Sequence, residues 1–480
     1  MVFTAIGLAN GDFSEHTSFM QTASGHGLSP LRLVIAVMMP LLIVFPVASS
    51  AVSPAHASNP SPCTTSADPP DFDTSVDKFQ IGSSEELVYI SQNLDKNVTS
   101  GVTDSDGNSV TGLWVEQDYV LTLDIDLDGC RFSPIGNNSN AFTGDFDGSG
   151  FEVANFTVSE GSFRGFFGQT FTSTIQDLHL SEVTVITESP PTSTAGLLVG
   201  TAGSTQILRS SATGTVSGST SFGAGGLVGR LNFSDSSIRF SQASGTVSVT
   251  GGHAGGLVGS IFSGGNIENS YASVAVTGVA GEASGGLLGT SGFSTATRVT
   301  DSYSNGPVSG AGDLGGLIGY TDGTVSESFY DTETSLQSSS DGGSGKTTAE
   351  LTTFDTFTSA GWAIVAGWEA FDSNSGKVWG ICQGVNEGYP FLLWEYASNP
   401  CPSDEPAVST GSEAALERSA VAAIHLDGGV SLGSPAASAE ILAEGEGLDS
   451  GQTFAVTLNP GGQLLSSGTA SPTGYFSTQV

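Results

Sequence analysis

The chain has 480 residues, 66 of them Gly, and only 12 Lys and Arg against 48 Asp and Glu, for a formal net charge of −36. That balance excludes nucleic acid as a partner, because nothing here could neutralise a phosphate backbone, and it argues against an anionic membrane surface. The length allows two or more domains with a substantial core. Abundant Gly, Ser, Thr and Val suit short strands and turns, not helical bundles.

Residues 1–57 read as an export signal. Arg32 precedes an apolar run from Leu33 to Ala48, and Ala55-His56-Ala57 supplies a cleavage site. Pro40 and Pro46 interrupt a run already short for a span. Cleavage after Ala57 is therefore expected, with no membrane span in the mature chain. The acidic stretch before Arg32 is long for such a signal and places the true start nearer Met20. All four cysteines (Cys63, Cys130, Cys382 and Cys401) come after the signal, and an even number in an exported chain implies two disulfides. Proximity favours Cys382–Cys401 and leaves Cys63–Cys130, with the pairing open.

Residues 58–80, rich in Pro, Ser and Asp, read as a linker. Residues 81–190 come next as an N-terminal cap with irregular rungs. Ser83 and Glu86 form a capping box ahead of Leu87, Ile90 and Leu94, which predicts a short helix closing the open end of a repeat array. Val120–Leu127 then alternates with period two, as a half-buried strand does. Phe142–Gly148, Phe151–Val158 and Ile175–Val185 are similarly strand-like, and Gly165-Phe166-Phe167-Gly168 is a bulky forerunner of the Gly-Leu repeat.

Residues 191–335 carry the repeat. Gly225–Gly229, Gly255–Gly259, Gly285–Gly289 and Gly315–Gly319 read GGLVG, GGLVG, GGLLG and GGLIG, and Leu227, Leu257, Leu287 and Leu317 recur every 30 residues. The glycines Gly226, Gly229, Gly256, Gly259, Gly286, Gly289, Gly316 and Gly319 complete the structural motif. A degenerate copy, Gly196-Leu197-Leu198-Val199-Gly200, sets Leu197 one period before Leu227. A second strand opens at Ile207, Ile238, Ile267, Val299 and Val325, with Ser210, Ser241, Ser270, Ser302 and Ser328 three positions on. A third closes around Val216, Val247, Val276 and Val308. A fixed period of this size marks a solenoid. Three short strands per unit predict an all-β, right-handed parallel β-helix, a rod about 40 Å long at about 4.8 Å per rung.

Residues 336–401 are expected to cap that rod. Ser338–Lys346 is a Gly/Ser loop, Thr347-Thr348-Ala349-Glu350 is a second capping box, and Leu351, Phe354 and Phe357 continue at helical spacing. Trp362, Trp368, Trp379 and Trp394 would cover the last rung. Residues 402–418 read as a second linker. Residues 419–480, with strand-like Thr453–Leu458 and Gln463–Ser466, look like an incomplete immunoglobulin-like β-sandwich.

The Gly-Leu-Val-Gly units, each succeeded by a strand such as Ile267-Glu268-Asn269-Ser270-Tyr271-Ala272, resemble the GLUG-repeat family of bacterial surface proteins. Asp124–Leu127, Phe132–Gly136 and Phe142–Gly148 resemble the family's opening segment. Tyr330–Ser335, Gly345–Leu351 and Gly388–Phe391 resemble its closing one. The match spans residues 80–397. The resemblance implies a secreted or cell-surface β-helix, often in adhesin-like chains, some with a downstream zinc peptidase. Phe166-Phe167 and the arginines Arg209 and Arg239 within the second strand depart from the pattern and leave rung register open.

No stretch carries the chemistry of an enzyme. His179, His253 and His425 each stand alone, without the His-Glu-x-x-His spacing a zinc peptidase needs. Ser340–Thr347 nearly spells a phosphate-binding loop, but Ser340 stands where the first Gly belongs. Asp124, Asp126 and Asp128 imitate a calcium loop, yet the twelfth position is Ile135 and not an acid. These read as turn and strand carboxylates, with weak surface calcium as the sharper alternative. Asp301 and Glu327 occupy equivalent positions on different rungs, two carboxylates without an evident cleft. The expectation is a non-enzymatic, exported surface rod without a cofactor, adhesive or a spacer, whose partner would be a glycan or a surface protein. A carbohydrate-binding or polysaccharide-cleaving β-helix is the alternative, and an ancillary region of a larger surface enzyme a third.

Overall fold

The computed structural model describes residues 60–64, 69–98, 101–292 and 294–402, side chains of 188–191 apart, and beyond them the backbone of four strands. The signal segment expected over 1–57 and the linker expected over 402–418 fall almost wholly outside the described residues. The chain divides into two units, Met1–Thr348 and Ala349–Val480.

Period-two patterning repeated every rung demands that like side chains stack, and the first unit is built that way. It is a parallel β-helix whose strands assemble into sheets of ten, fourteen and six strands. On the ten-stranded sheet one inward column runs Phe79, Tyr119, Phe146, Ile175, Ile207, Ile238, Ile267, Val299 and Val325, each paired in parallel register with the next. All but Val325 are buried. Eight steps of about 4.8 Å make that stack about 38 Å tall.

The column changes from rings to aliphatics, and this explains the bulky Phe166-Phe167 unit. Phe166 packs against Phe132, Phe146 and Phe156 at 5.3, 5.8 and 5.9 Å between ring centroids. The N-terminal rungs are thus filled by phenylalanines where later rungs are filled by Leu, Ile and Val. Register is kept: Phe167 pairs with Val199, and Val199 with Val228. The same pairing corrects the alignment of the degenerate copy. Leu198, not Leu197, stands over Leu227, and Leu197 fills the place of Gly226.

Each rung turns three corners. At the first, the pentapeptide straddles the bend instead of forming one strand: His253–Gly255 ends on Gly255, and Val258–Ile261 begins after Leu257. Leu227 and Val228 both donate their amides to the Leu257 carbonyl at 3.0 Å, and Leu257 and Val258 repeat this on Leu287 at 2.9 and 3.0 Å. Glycine is required because the backbones touch: a Cβ on Gly256 would lie 1.9 Å from the Gly286 carbonyl oxygen. The second corner is a single left-handed residue, Thr172, Ser204, Phe233 or Ser263.

The third corner is also one left-handed residue, filled in turn by Asp177, Arg209, Phe240, Asn269, Asp301 and Glu327. Arg209 therefore lies at a bend and not within a strand. A serine comes directly after each of the last five, and in the last four its hydroxyl is used twice. Ser270 Oγ donates to the Glu268 carbonyl at 2.9 Å and accepts the Ser241 amide at 3.1 Å. Ser241, Ser302 and Ser328 repeat the pattern, while Ser210 Oγ donates to the Leu208 carbonyl.

Both ends of the array carry backbone partners. Asp71–Asp73 and Lys78–Ile81 pair antiparallel at the start of the ten-stranded sheet. The expected helix forms over Ser84–Gln92, with Ser83 Oγ accepting the Glu86 amide. Glu86 reaches back to the Gly82 amide at 2.7 Å, one residue beyond the usual capping-box partner. The Cys63–Cys130 bond ties the leading segment to the first rungs, where Cys63 donates its amide to Arg131. At the other end the expected Gly/Ser loop lies along the last rung. Ser340 Oγ accepts the amides of Leu317 and Ile318 at 3.2 and 2.8 Å, and Ser344–Lys346 adds a strand beside Phe329–Asp331.

The single helix predicted after Thr347 is two, Thr348–Leu351, which opens at the boundary of the units, and Phe354–Ser359 in the second unit. The Thr353 hydroxyl donates to the Ala349 carbonyl at 2.7 Å and closes the first turn. Trp362 packs between Phe357 and Trp379, at 4.8 and 4.9 Å. A three-stranded sheet joins Ile364–Ala366, Trp379–Ile381 and Phe391–Leu392, and Cys382 is bonded to Cys401. The last four strands form two antiparallel pairs, Leu442–Gly445 with Phe476–Gln479 and Thr453–Leu458 with Gln463–Thr469.

Candidate functional site

With the middle residue of each short strand pointing inward, its neighbours form two outward columns on the ten-stranded sheet. One passes through Thr174, Gln206, Ser237, Asn266, Arg298 and Thr324, the other through Asp147, Gln176, Leu208, Arg239, Glu268, Thr300 and Ser326. Toward the N-terminal end these side chains satisfy one another. Lys78 and Gln176 bond Asp147 at 3.3 and 3.2 Å, and at the adjoining corner Arg209 grips Asp177 with two bonds of 2.6 and 2.7 Å.

Farther along, that zipper opens into a shallow groove of about 350 Å³. Its floor and walls are Gln206, Ser237, Arg239, Asn266, Glu268, Arg298 and Thr300. Arg239 reaches Gln206 Oε1 at 3.4 Å, while its buried Nε has no hydrogen-bond partner. Two guanidinium groups, two carboxamides, hydroxyls and the carboxylates of Asp235 and Glu268 here supply donors and acceptors together, suited to a ligand rich in hydroxyl groups.

Beside Thr300 and Glu268 lies the acidic corner. Register places Asp301 one rung from Glu327, since Thr300 pairs with Ser326. Burial first, then the Glu327 and Glu268 charges, pushes the Asp301 carboxyl up to about 6. The structure thus brings together two carboxylates that the sequence left without a cleft.

Other singled-out residues have structural partners. Asp124 accepts the Glu152 amide, and Asp126 accepts the Asp128 amide and the Asn155 carboxamide. His179 bonds Ser211, and His253 Nδ1 lies 3.1 Å from the Ala283 amide and 3.2 Å from Glu282 Oε2; burial pulls both imidazoles below their usual pKa. His425 lies outside the described residues. Among the described residues no three His, Cys, Asp or Glu side chains converge as a metal site. Leu227, Leu257, Leu287 and Leu317 are fully buried and take no part in any surface. The groove itself was missed by sequence reasoning; its one signal was Arg239, noted only as a departure from the repeat.

Stacked parallel rungs, glycine corners and a serine ladder define a repeat protein of the parallel β-helix class. Residues 250–277 match the GLUG motif, which supports the GLUG-repeat reading of the array. An Evansella cellulosilytica protein described as a Gly-rich membrane protein is 40% identical over 81 residues, which cover 15% of this chain and 9% of that one. The chain therefore spans under a tenth of the length of this curated relative. Among solved structures, a Bacteroides ovatus protein described as a candidate immunoglobulin A1 protease aligns with a TM-score of 0.44 at 20% identity, over 67% of this chain and 94% of its own. One described as an IgA1 protease aligns with a TM-score of 0.36 at 19% identity, over 52% of this chain and 19% of its own.

Proposed function

We propose that this chain is an exported, non-catalytic surface rod whose β-helix acts as an adhesive scaffold. The observation that carries this is the groove on the ten-stranded sheet, where a self-satisfied polar face opens to leave Arg239, Arg298 and Asn266 presented together. Export is supported by the two disulfides, which persist in oxidising compartments, and by the signal-like stretch before Ser58. A glycan array probed with the purified chain tests the adhesive role. Binding that falls about tenfold in Arg239→Ala, with melting unchanged, is the expected result; a glycan and surface-protein screen without any hit would reduce the rod to a spacer.

A second function, polysaccharide cleavage, is favoured by one feature. An acid held protonated to about 6 beside a second carboxylate one rung away is the pairing that glycoside hydrolysis uses. Release of reducing ends from any polysaccharide, abolished in both Asp301→Asn and Glu327→Gln, would replace the non-catalytic assignment.

A further inference from the structure

Outside the groove, the face of the rod is mostly Ser, Thr and Gly, so exposed rings stand out. Phe171, Phe222, Phe233 and Phe262 are 42, 50, 46 and 43% exposed. Three of them gather at the end of the six-stranded sheet, on different rungs. Phe171 and Phe233 meet edge to face at 6.0 Å, and both lean over Gly203, where a Cβ would lie 3.0 and 3.4 Å from their ring carbons. Phe262 lies one rung past Asn232, its amide donating to the Leu231 carbonyl at 2.9 Å. The rings thus form a band that climbs along the solenoid axis.

Arg230 is set into this band. Its guanidinium lies 5.0 Å from the Phe222 ring centroid and 4.3 Å from that of Phe262, a flat cation held between two faces. In a chain of net charge −36 this cation has no carboxylate within ion-pairing distance among the described residues, although Lys78, Lys96, Arg131 and Arg209 each have one. Its column, Gln169, Thr201, Arg230 and Ser260, carries further buried polar atoms without a protein partner at Gln169 Oε1, Arg230 Nε and Ser260 Oγ.

We propose that this aromatic–arginine band is a binding site for a linear acidic polysaccharide, a uronate chain lying parallel to the rod axis. The half-exposed rings offer flat apolar faces to the C–H faces of pyranose rings. The fixed guanidinium offers a planar fork to one carboxylate. The rung rise of about 4.8 Å is comparable with the length of one pyranose unit, so successive sugars meet successive rungs. Overall repulsion between two anionic polymers is screened beyond about 8 Å at physiological ionic strength, which leaves the local cation to decide. The band deepens the adhesive role proposed above and rests on it, but it lies on a different sheet from the Arg239 groove.

Affinity electrophoresis and calorimetry of the full chain with polygalacturonate oligomers, and with their methyl esters, test the assignment. The acid form should bind, and the ester about tenfold more weakly. Phe262→Ala should weaken acid binding about tenfold. Arg230→Gln should bind acid and ester alike, whereas Arg239→Ala in the groove should leave acid binding unchanged. An unchanged melting temperature in Phe262→Ala, a residue already 43% exposed, shows that lost binding is not lost fold. Equal affinity of the native chain for acid and ester, or no binding to either, would overturn the band as a uronate site while leaving the Arg239 groove and its glycan hits intact. Concentration-dependent self-association abolished by Phe262→Ala would instead assign the band to a second copy of the chain.

Discussion

The left-handed corner beside the groove is where single residues matter most. Asp301 occupies it at a φ of 47°, and Asn269 occupies the same place one rung earlier at 48°. Asn tolerates this conformation well, so Asp301→Asn costs little in geometry and removes a charge crowded by Glu327 and Glu268. The Asp301 carboxyl is raised from 3.8 to about 6. The folded state therefore binds more protons than the unfolded one between those limits, and stability falls as pH rises through them. At pH 7 the variant should be more stable by about 1–2 kcal/mol after allowance for solvent screening, and the gain should vanish near pH 4. Thermal melts at both pH values check this; an equal gain at each would mean the effect is not electrostatic. Ser270 is the complementary case. Removing its hydroxyl in Ser270→Ala leaves the buried Ser241 amide without an acceptor, a loss of about 1–3 kcal/mol. Amide exchange at Ser241 should quicken at least about fivefold, and an unchanged rate would show that another acceptor takes over.

At the scale of an element, the pentapeptide corner couples each rung to the next. Leu257 is fully buried and its carbonyl takes two amides from the preceding rung. Leu257→Asp would place a carboxylate where no partner can reach it, on top of the roughly 2–5 kcal/mol that losing a core leucine costs. In a solenoid each rung contacts only its neighbours, so the damage spreads along the array. Loss of the cooperative melt in circular dichroism is expected, and an unaltered melting temperature would refute the burial. The sequence displayed this corner as a 30-residue period, but it hid how the turn is made. Two glycines are needed because adjacent backbones come within contact, and that contact exists only once rungs stack.

For the whole molecule, charge and crosslinks set the terms. With 48 acids against 12 bases, the folded chain repels itself, and salt screens that repulsion. Raising sodium chloride from about 10 to about 150 mM should raise the melting temperature; a fall would point to ion pairs dominating. The Cys63–Cys130 bond spans 67 residues, which in the chain-entropy account restrains the unfolded state by about 4 kcal/mol. Replacing both cysteines by Ala should lower the melting temperature of the first unit by several degrees while leaving the Cys382–Cys401 bond intact, as peptide mapping without reductant would report.

Sequence alone determined that this is a parallel β-helix, because period-two alternation and a 30-residue repeat are local consequences of burying one face of each short strand. It also displayed the stacking leucines, the serine ladder and the start of the capping helix. Which surface residues meet was decided only by the tertiary structure. Asn266, Arg298 and Arg239 are separated along the chain by whole rungs, and the distance from one rung to the next varies: Ile267 to Val299 and Val299 to Val325 differ in length yet pair in register. Corner lengths absorb that difference, so lateral neighbours cannot be counted from spacing. The aromatic band was still less visible: Phe171 and Phe262 share one strand position three rungs apart, but Gly203 and Asn232 fill it in between, and Phe222 and Phe233 lie off that column. Burial repeats because every rung solves the same packing problem, whereas the outward columns are free to vary, and only their alignment in three dimensions turns them into a site.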